Sequence, residues 1–283
     1  MRDRFGAYLL ISPAMVVLAF TLAAPLALLV AYSFWSQQGL SVDTHPTWSQ
    51  YAAIATRDVY RVLFLRSIAI SSLATLLTIL LAFPMAYFVA FRAGKSKFVW
   101  LLLLTIPFWT SYLLRVFAWK VILGYNGVIN SSLIGLKLIS QPLQILLYTP
   151  AAVVVTLTHA YAAFAILPIY VSLEKIDRSL LDAAADLGDG PVRRFFRVTL
   201  PLSLPGIIAA AVLVFIPATG DYVTPALVGG SDGLMVANII QVQFGRADNW
   251  PLGAALAVGS LVLVAALAFF AVQAARFATA RIR

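Results

Sequence analysis

Cysteine is absent and histidine nearly so, with two in the whole chain, while aspartate and glutamate together number only 11. Without cysteine there can be neither a disulfide nor a thiolate metal site, and the redox compartment leaves no mark. The two histidines, His45 and His159, have no carboxylate or second ligand at metal spacing, so no metal site is expected. No serine stands in a nucleophile-elbow pattern, which leaves hydrolytic catalysis without support. The string Gly94-Lys95-Ser96 has the ending of a phosphate-binding loop, but that loop needs a glycine five positions before Gly94, and Val89 occupies the place. Charge of either sign is scarce, at 11% of residues.

What fills the space is apolar. Hydrophobic residues make up 62% of the chain, and the mean hydropathy of +0.93 leaves too little polar surface to cover a soluble globule. A helix needs about 20 apolar residues to cross a bilayer core. Six runs qualify: roughly 7–34, 67–91, 98–123, 145–171, 202–228 and 252–275. Their continuous apolarity suits helices and not the alternating strands of a barrel. The first run is preceded by Arg2 and Arg4 but is longer than the apolar core of a secretory signal, so it reads as a retained span. No solenoid repeat or low-complexity linker breaks the pattern. The expectation is an all-α membrane protein with six transmembrane helices, residues 1–283 forming one domain.

Basic residues orient it. With the amino terminus in the cytoplasm, the inner side collects Arg2 and Arg4, then Arg92, Lys95 and Lys97, then Lys175, Arg178, Arg193, Arg194 and Arg197, and finally Arg276, Arg281 and Arg283. The outer side holds Arg57, Arg61, Arg66, Lys137 and Arg246. This bias predicts both termini in the cytoplasm. It also accounts for the net charge of +9 through contact with anionic membrane lipid, with no need for nucleic acid. Outside, Trp48 to Arg66 has the spacing of an amphipathic helix leading into the second span, and Gly124 to Pro142 reads as a Gly-, Asn- and Ser-rich loop.

The longest inner connection, 172–201, is unlike the rest. Asp177, Asp182, Asp186 and Asp189 recur among alanines, Gly188 stops a short helix, Pro191 starts a basic one, and Leu200-Pro201 is expected to turn the chain into the membrane. A rigid elbow with small side chains could seat in another protein's groove, and an ordinary solvated interfacial helix is the competing reading.

The spacing here resembles the signature of the membrane subunits of binding-protein-dependent ABC importers: Glu-Ala-Ala, three residues, Gly, nine residues, Ile-x-Leu-Pro. This chain has Asp182-Ala183-Ala184, Gly188, then Val198-Thr199-Leu200-Pro201, with Asp for Glu and Val for Ile as the departures. The resemblance extends to Pro107–Leu123, Gly220–Gly230 and Asn238–Ala257, which are similar to the first permease of spermidine/putrescine importers. It implies a type I importer permease fold whose elbow, through Asp182, Ala183, Ala184, Gly188, Val198, Leu200 and Pro201, is a cytoplasmic coupling helix. It further implies a location in the bacterial inner membrane, a second permease, two ATPase subunits that hold ATP and Mg, and an extracytoplasmic solute-binding protein. No cofactor is implied on this chain. The substrate implied is a polyamine; relatives in the same branch carry opines, amino-acid derivatives or other small polar solutes. A secondary transporter or channel acting alone would show inverted repeats or more intramembrane charge, neither of which is evident.

A cation crossing a low-dielectric core needs a carboxylate or aromatic faces in place of water. The fifth span supplies Asp221, ~24 Å along the helix from Pro205 and so in the outer half. Pro217, Gly220 and Pro225 predict a break around Asp221 and Tyr222, where the carboxylate can line the pathway, cap the resumed helix, or do both. On the third span Phe108, Tyr112, Arg115 and Trp119 share a helical face, with Trp109 beside them. Trp119 and Arg115 also fit an outer aromatic belt with a snorkelling cation.

Overall fold

The computed structural model describes residues 2–39 and 41–280, with side chains described for 11–37, 39 and 41–273. The side chains of Arg2, Arg4 and Arg276, and residues Arg281 and Arg283 altogether, therefore lie outside the described residues. The chain forms two compact units, Met1–Arg61 with Ile239–Val262, and Val62–Asn238 with Leu263–Arg283.

In the first unit, α1 (Arg2–Ser33) is followed by an antiparallel hairpin of β1 (Ser36–Gln38) and β2 (Ser41–Asp43), with Ser36 opposite Asp43, and by α2 (Ser49–Thr56). Aromatic rings gather at the end of α1, where Phe34 meets the edge of Trp48 at 4.9 Å and the Tyr51 hydroxyl donates to Ser33 Oγ at 2.8 Å. α2 ends at Arg57, whose extended backbone separates it from α3 (Asp58–Phe91). The expected single helix over Trp48 to Arg66 is thus two.

The second unit is built on α3 and the helices packed along it. A 3-10 turn (Gly94–Ser96) leads to α4 (Lys97–Thr105), then another (Ile106–Trp109) to α5 (Tyr112–Leu123). α6 (Val128–Gly135), α7 (Pro150–Ala160), α8 (Ala162–Glu174), α9 (Arg178–Asp186), α10 (Pro191–Arg194), α11 (Leu200–Thr219), α12 (Val223–Val228), α13 (Val236–Gly245) and α14 (Trp250–Ala280) follow, the last two shared with the first unit. Among the described residues, four stretches are each long and apolar enough to cross a membrane: Ile11–Ser33, Asp58–Phe91, Pro191–Thr219 and Trp250–Gln273. Two more are helix pairs broken in the middle, Gly94–Trp109 with Tyr112–Gly135, bent by 85°, and Pro150–Ala160 with Ala162–Glu174, bent by 48°.

Small residues set the packing. Ala74, Ala82, Ala86 and Ala90 on α3 are at most 2% exposed, letting backbones approach as they must where lipid supplies no hydrophobic drive between helices. α8 packs along α11 closely enough that a Cβ on Gly206 would stand 2.4 Å from Ser172 Cβ and 2.5 Å from the Pro168 carbonyl oxygen. One apolar cluster joins Ala82, Ala86, Ile166, Ile169, Leu173 and Val214. The other joins Ile70, Val116, Val153, Leu157, Ala218 and Met235, with Tyr112, Trp119 and Tyr161 against it.

Three further sequence expectations change. The supposed loop Gly124 to Pro142 contains α6, and within it Asn130 is fully buried, its amide donating to the carbonyls of Gly124, Tyr125 and Leu143 at 3.1–3.3 Å while its oxygen accepts from Leu143 N at 2.8 Å. The third run is not one helix, because Thr110 and Ser111 adopt extended backbone between Trp109 and Tyr112. Leu200-Pro201 is not a turn: Pro191–Thr219 runs as one helix of 29 residues. A π-helical stretch, Phe195–Thr199, with Leu200 N donating to the Phe195 carbonyl, loosens the ladder immediately ahead of Pro201, whose ring nitrogen has no hydrogen to give.

Candidate functional site

Two sites come from the sequence, and the structure gives each a geometry. The first is centred on Asp221. α11 ends at Thr219 with Gly220 as its C-cap, after Pro217 has removed one of its last hydrogen bonds, and α12 starts at Val223. Asp221 bridges the gap and is only 7% exposed. Its Oδ1 accepts the backbone N–H groups of Val223 (2.8 Å) and Thr224 (3.2 Å), which caps α12. Its Oδ2 accepts the Thr224 hydroxyl at 2.7 Å and the hydroxyl of Tyr112, the first residue of α5. A carboxylate offers about four lone-pair sites, and all are taken. The same group thereby caps one helix and fastens α5 across to it.

Around this knot lie aromatic faces. The Tyr112 and Tyr161 rings are 6.1 Å apart, and Tyr161 sits at the joint between α7 and α8, its hydroxyl 3.5 Å from the Pro217 carbonyl. One turn along α5 from Tyr112, the Arg115 guanidinium lies 4.9 Å from the centre of the Phe108 ring and 5.9 Å from that of Tyr112. Its buried Nε and Nη1 have no hydrogen-bond partner among the described residues, where the aromatic faces are its principal compensation. His159 stacks on Phe108 at 6.0 Å and meets Trp119 at 5.5 Å. Phe108 and Arg115 are neighbours although no continuous helix carries both; the break folds the 3-10 turn back against α5.

The second site is the elbow of residues 172–201. The Asp177 side chain accepts from Ser179 N at 3.0 Å to cap α9, and these hydrogen bonds hold its carboxyl below the ordinary aspartate value. α9 closes with Gly188 at φ +84°, Gly188 N donating to the Ala185 carbonyl and Asp189 N to the Ala184 carbonyl, the paired bonds of a glycine-terminated helix. Ala184 faces inward, while Asp182 and Ala183 are exposed. Asp189 then receives Arg197 at 3.1 Å and stands 3.7 Å from Arg193, and Arg194 donates to the Leu181 carbonyl at 3.4 Å, holding α10 against α9. A Cβ at Gly188 would meet nothing within 4 Å, so this chain itself leaves room for a side chain there.

Residues 55–277 match the family described as binding-protein-dependent transport system inner membrane component. The chain belongs to this family. It is 37% identical over 252 residues to the spermidine/putrescine transport system permease protein PotB of Haemophilus influenzae, covering 89% of this chain and 88% of that protein. With the inner membrane ABC transporter permease protein YdcU of Escherichia coli it shares 32% over 239 residues, 80% of this chain and 75% of the other. Among solved structures, a bacterial ABC transporter that imports the acidic polysaccharide alginate contains a chain of the same fold, with a TM-score of 0.78 at 15% identity over 97% of this chain and 96% of that one. The protein is a multi-pass permease subunit of the inner membrane, with the type I importer fold; in such importers the ATPase activity sits on separate subunits.

Within this permease the structure gathers Phe108, Tyr112, Arg115 and Asp221 in one place. It does not bring in Trp109, which is 76% exposed, or the side chain of Tyr222, which is 48% exposed while its carbonyl accepts from Asn238 at 2.7 Å. In the elbow, Val198 belongs to the π-helical stretch, and Leu200 and Pro201 to the first turn of α11. Sequence reasoning passed over Thr224, Tyr161 and His159 as members of the cluster. Thr224, three residues after Asp221, is the partner a capping aspartate pattern could have pointed to; nothing near Tyr161 announces the joint it occupies.

Proposed function

We propose that this permease forms half of the translocation pathway of an ATP-driven importer for a polyamine such as spermidine or putrescine. The observation that carries the substrate class is the 37% identity to a spermidine/putrescine permease across nearly the full length of both chains. The chemistry around Asp221 supports it. A buried carboxylate bonded to Tyr112, with the Tyr161 ring 6.1 Å from that of Tyr112, offers the two features that replace water around an ammonium group. Asp221 is saturated by its own donors, so it takes an ammonium only by exchanging the Tyr112 hydroxyl for it. That exchange loosens α5 from the α11–α12 break and links substrate passage to the position of α5. Arg115 works in the opposite sense: its charge repels a cation, which favours brief occupancy over tight binding.

In the same reading the elbow of residues 172–201 is cytoplasmic and couples the spans to ATP hydrolysis, with the exposed Asp182, Ala183 and Gly188 meeting an ATPase subunit while the buried Ala184 packs inward against the permease itself. The partners are a second permease, two ATPase subunits carrying ATP and Mg, and an extracytoplasmic binding protein; both termini lie in the cytoplasm. Uptake of labelled spermidine by the reconstituted importer tests the substrate. Competition by unlabelled putrescine, with none from an opine or an acidic amino-acid derivative, is expected. Preferential uptake of an anionic or zwitterionic solute would overturn the polyamine reading and point to Arg115 as the recognition charge.

A further inference from the structure

Arginines on the inner face divide into two sets. Arg193 and Arg197 share Asp189, as Lys97 shares Glu174, whose carboxylate oxygens lie 2.6 and 2.8 Å from its ammonium. Among the described residues, Arg92, Arg178 and Arg194 have no carboxylate oxygen within 4.0 Å, and these three line one cleft of about 450 Å³. They reach it from three separate elements: Arg92 follows the end of α3, Arg178 starts α9 and Arg194 ends α10. Asp182 is the one carboxylate at the cleft, so the lining is net positive. Tyr87 and Phe91, rings 4.8 Å apart, join Phe195, Leu181, Pro191 and Thr199 in the rest of a mainly polar lining.

Three guanidinium groups around a single carboxylate leave the cleft with an excess of positive charge that an anion would balance. Guanidinium forks fit the oxygens of a phosphate group, and the rings of Tyr87, Phe91 and Phe195 at the same cleft give the glycerol and acyl portion of a lipid an apolar contact that a hydrated ion would not use. We propose that this cleft binds the phosphate group of an anionic membrane lipid, clamping the elbow to the end of α3. The assignment holds whichever solute the importer carries. It makes the lipid a tether between α9–α10 and α3, so that the elbow's mobility follows the anionic-lipid content of the inner leaflet.

The test uses the assembled importer in nanodiscs, with phosphatidylglycerol titrated into phosphatidylcholine and bound lipid read by native mass spectrometry. Each arginine near such a surface contributes roughly fivefold in affinity, so the triple variant Arg92→Gln/Arg178→Gln/Arg194→Gln is expected to lose phosphatidylglycerol retention on the order of a hundredfold. Lys95→Gln/Lys175→Gln, which removes two inner cations outside the cleft, is expected to leave retention unchanged. Retention that survives millimolar inorganic phosphate assigns the site to the lipid; displacement by inorganic phosphate assigns the same chemistry to a soluble anion. If the triple variant fails to assemble, Arg92→Gln alone should lower retention about fivefold. Wild-type retention in the variants would overturn the proposal. So would shedding of the ATPase subunit with lipid retention intact, which would mark the cleft as a seat for a partner's carboxylate.

Discussion

Asp221→Asn separates the two duties of that residue. The substitution keeps the oxygen that caps α12, so the bonds from Val223 and Thr224 N–H survive. On the other side an NH2 group replaces Oδ2 and faces two hydroxyls that formerly donated to it, Tyr112 and Thr224. Both hydroxyls can rotate and accept, so the number of hydrogen bonds is preserved while their character changes. A bond to a charged group is worth about 1.5–3 kcal/mol and a neutral one about 0.5–1.5, so the local loss is ~1 kcal/mol for each hydroxyl and about 2 kcal/mol for the pair. That is tolerable in an assembled complex, and co-purification with the ATPase subunit and basal ATP hydrolysis should be normal. Transport is a different matter. With the carboxylate gone and Arg115 still in place, the barrier to a cation rises, and uptake of labelled spermidine should fall at least ~30-fold, corresponding to about 2 kcal/mol in the barrier. Thr224→Val provides the contrast, since it removes one hydroxyl and keeps the charge; its uptake should fall by no more than about fivefold. Polyamine uptake by the Asn variant within twofold of wild type would refute the pathway role and leave Asp221 as a helix cap and fastener alone.

Gly188→Arg should insert and fold, since only the left-handed backbone opposes it, at about 1–2 kcal/mol; uptake should nevertheless be abolished while Gly188→Ala, with the same backbone cost, transports measurably. Normal uptake by the Arg variant in an assembled complex would remove the elbow from the coupling path. Gly206→Ala should lower the thermal midpoint of the purified permease by the equivalent of about 1–3 kcal/mol, the usual cost of overpacking, because its Cβ would press on Ser172 and the Pro168 carbonyl; Gly135→Ala, with nothing within 4 Å of its Cβ, is the control, and equal midpoints would contradict the close approach of α8 and α11. Because the chain has no cysteine of its own, single cysteines report topology directly: those at Ser96 and Gly190 should react with an impermeant thiol reagent only from the cytoplasm, those at Gly39 and Ser231 only from outside, and the reverse pattern would invert the proposed orientation.

The apolar runs were legible because crossing a membrane demands one property continuously over many residues, and the helices fall where those runs lie. The joints inside them were legible only where local chemistry marks them. Pro217, Gly220 and Pro225 announce the interruption at Asp221, and α11 does end at Thr219. The joint at Tyr161 has no proline or glycine beside it, and the 85° bend after Trp109 turns on Thr110 and Ser111, residues that any helix tolerates. The contact of Tyr112 with Asp221 joins positions 109 apart, which no local pattern encodes. Leu200-Pro201 misled for a physical reason. A proline must be accommodated, and a turn is the common way; here the helix widens by one residue per hydrogen bond over Phe195–Thr199 and carries on.

That continuity makes a lever. Pro191–Thr219 spans 29 residues, ~43 Å at 1.5 Å per residue, with the arginine-rich elbow at its base and the Asp221 interruption just past its tip. Pivoting at Gly206, about 20 Å from Thr219 at 1.5 Å per residue, a tilt of about 5° moves the tip sideways by roughly 2 Å, enough to strain a hydrogen bond. The rod is stiff along its axis yet notched: Pro201, Pro205 and Pro217 each delete a rung. Pro217 lies close to the tip and Pro201 close to the base, so bending concentrates at the two ends while the middle, wedged by Gly206 against α8, is the fulcrum. Rotations of the elbow would reach the carboxylate across two arms of nearly equal length, and the stroke available there is set by the position of a single glycine.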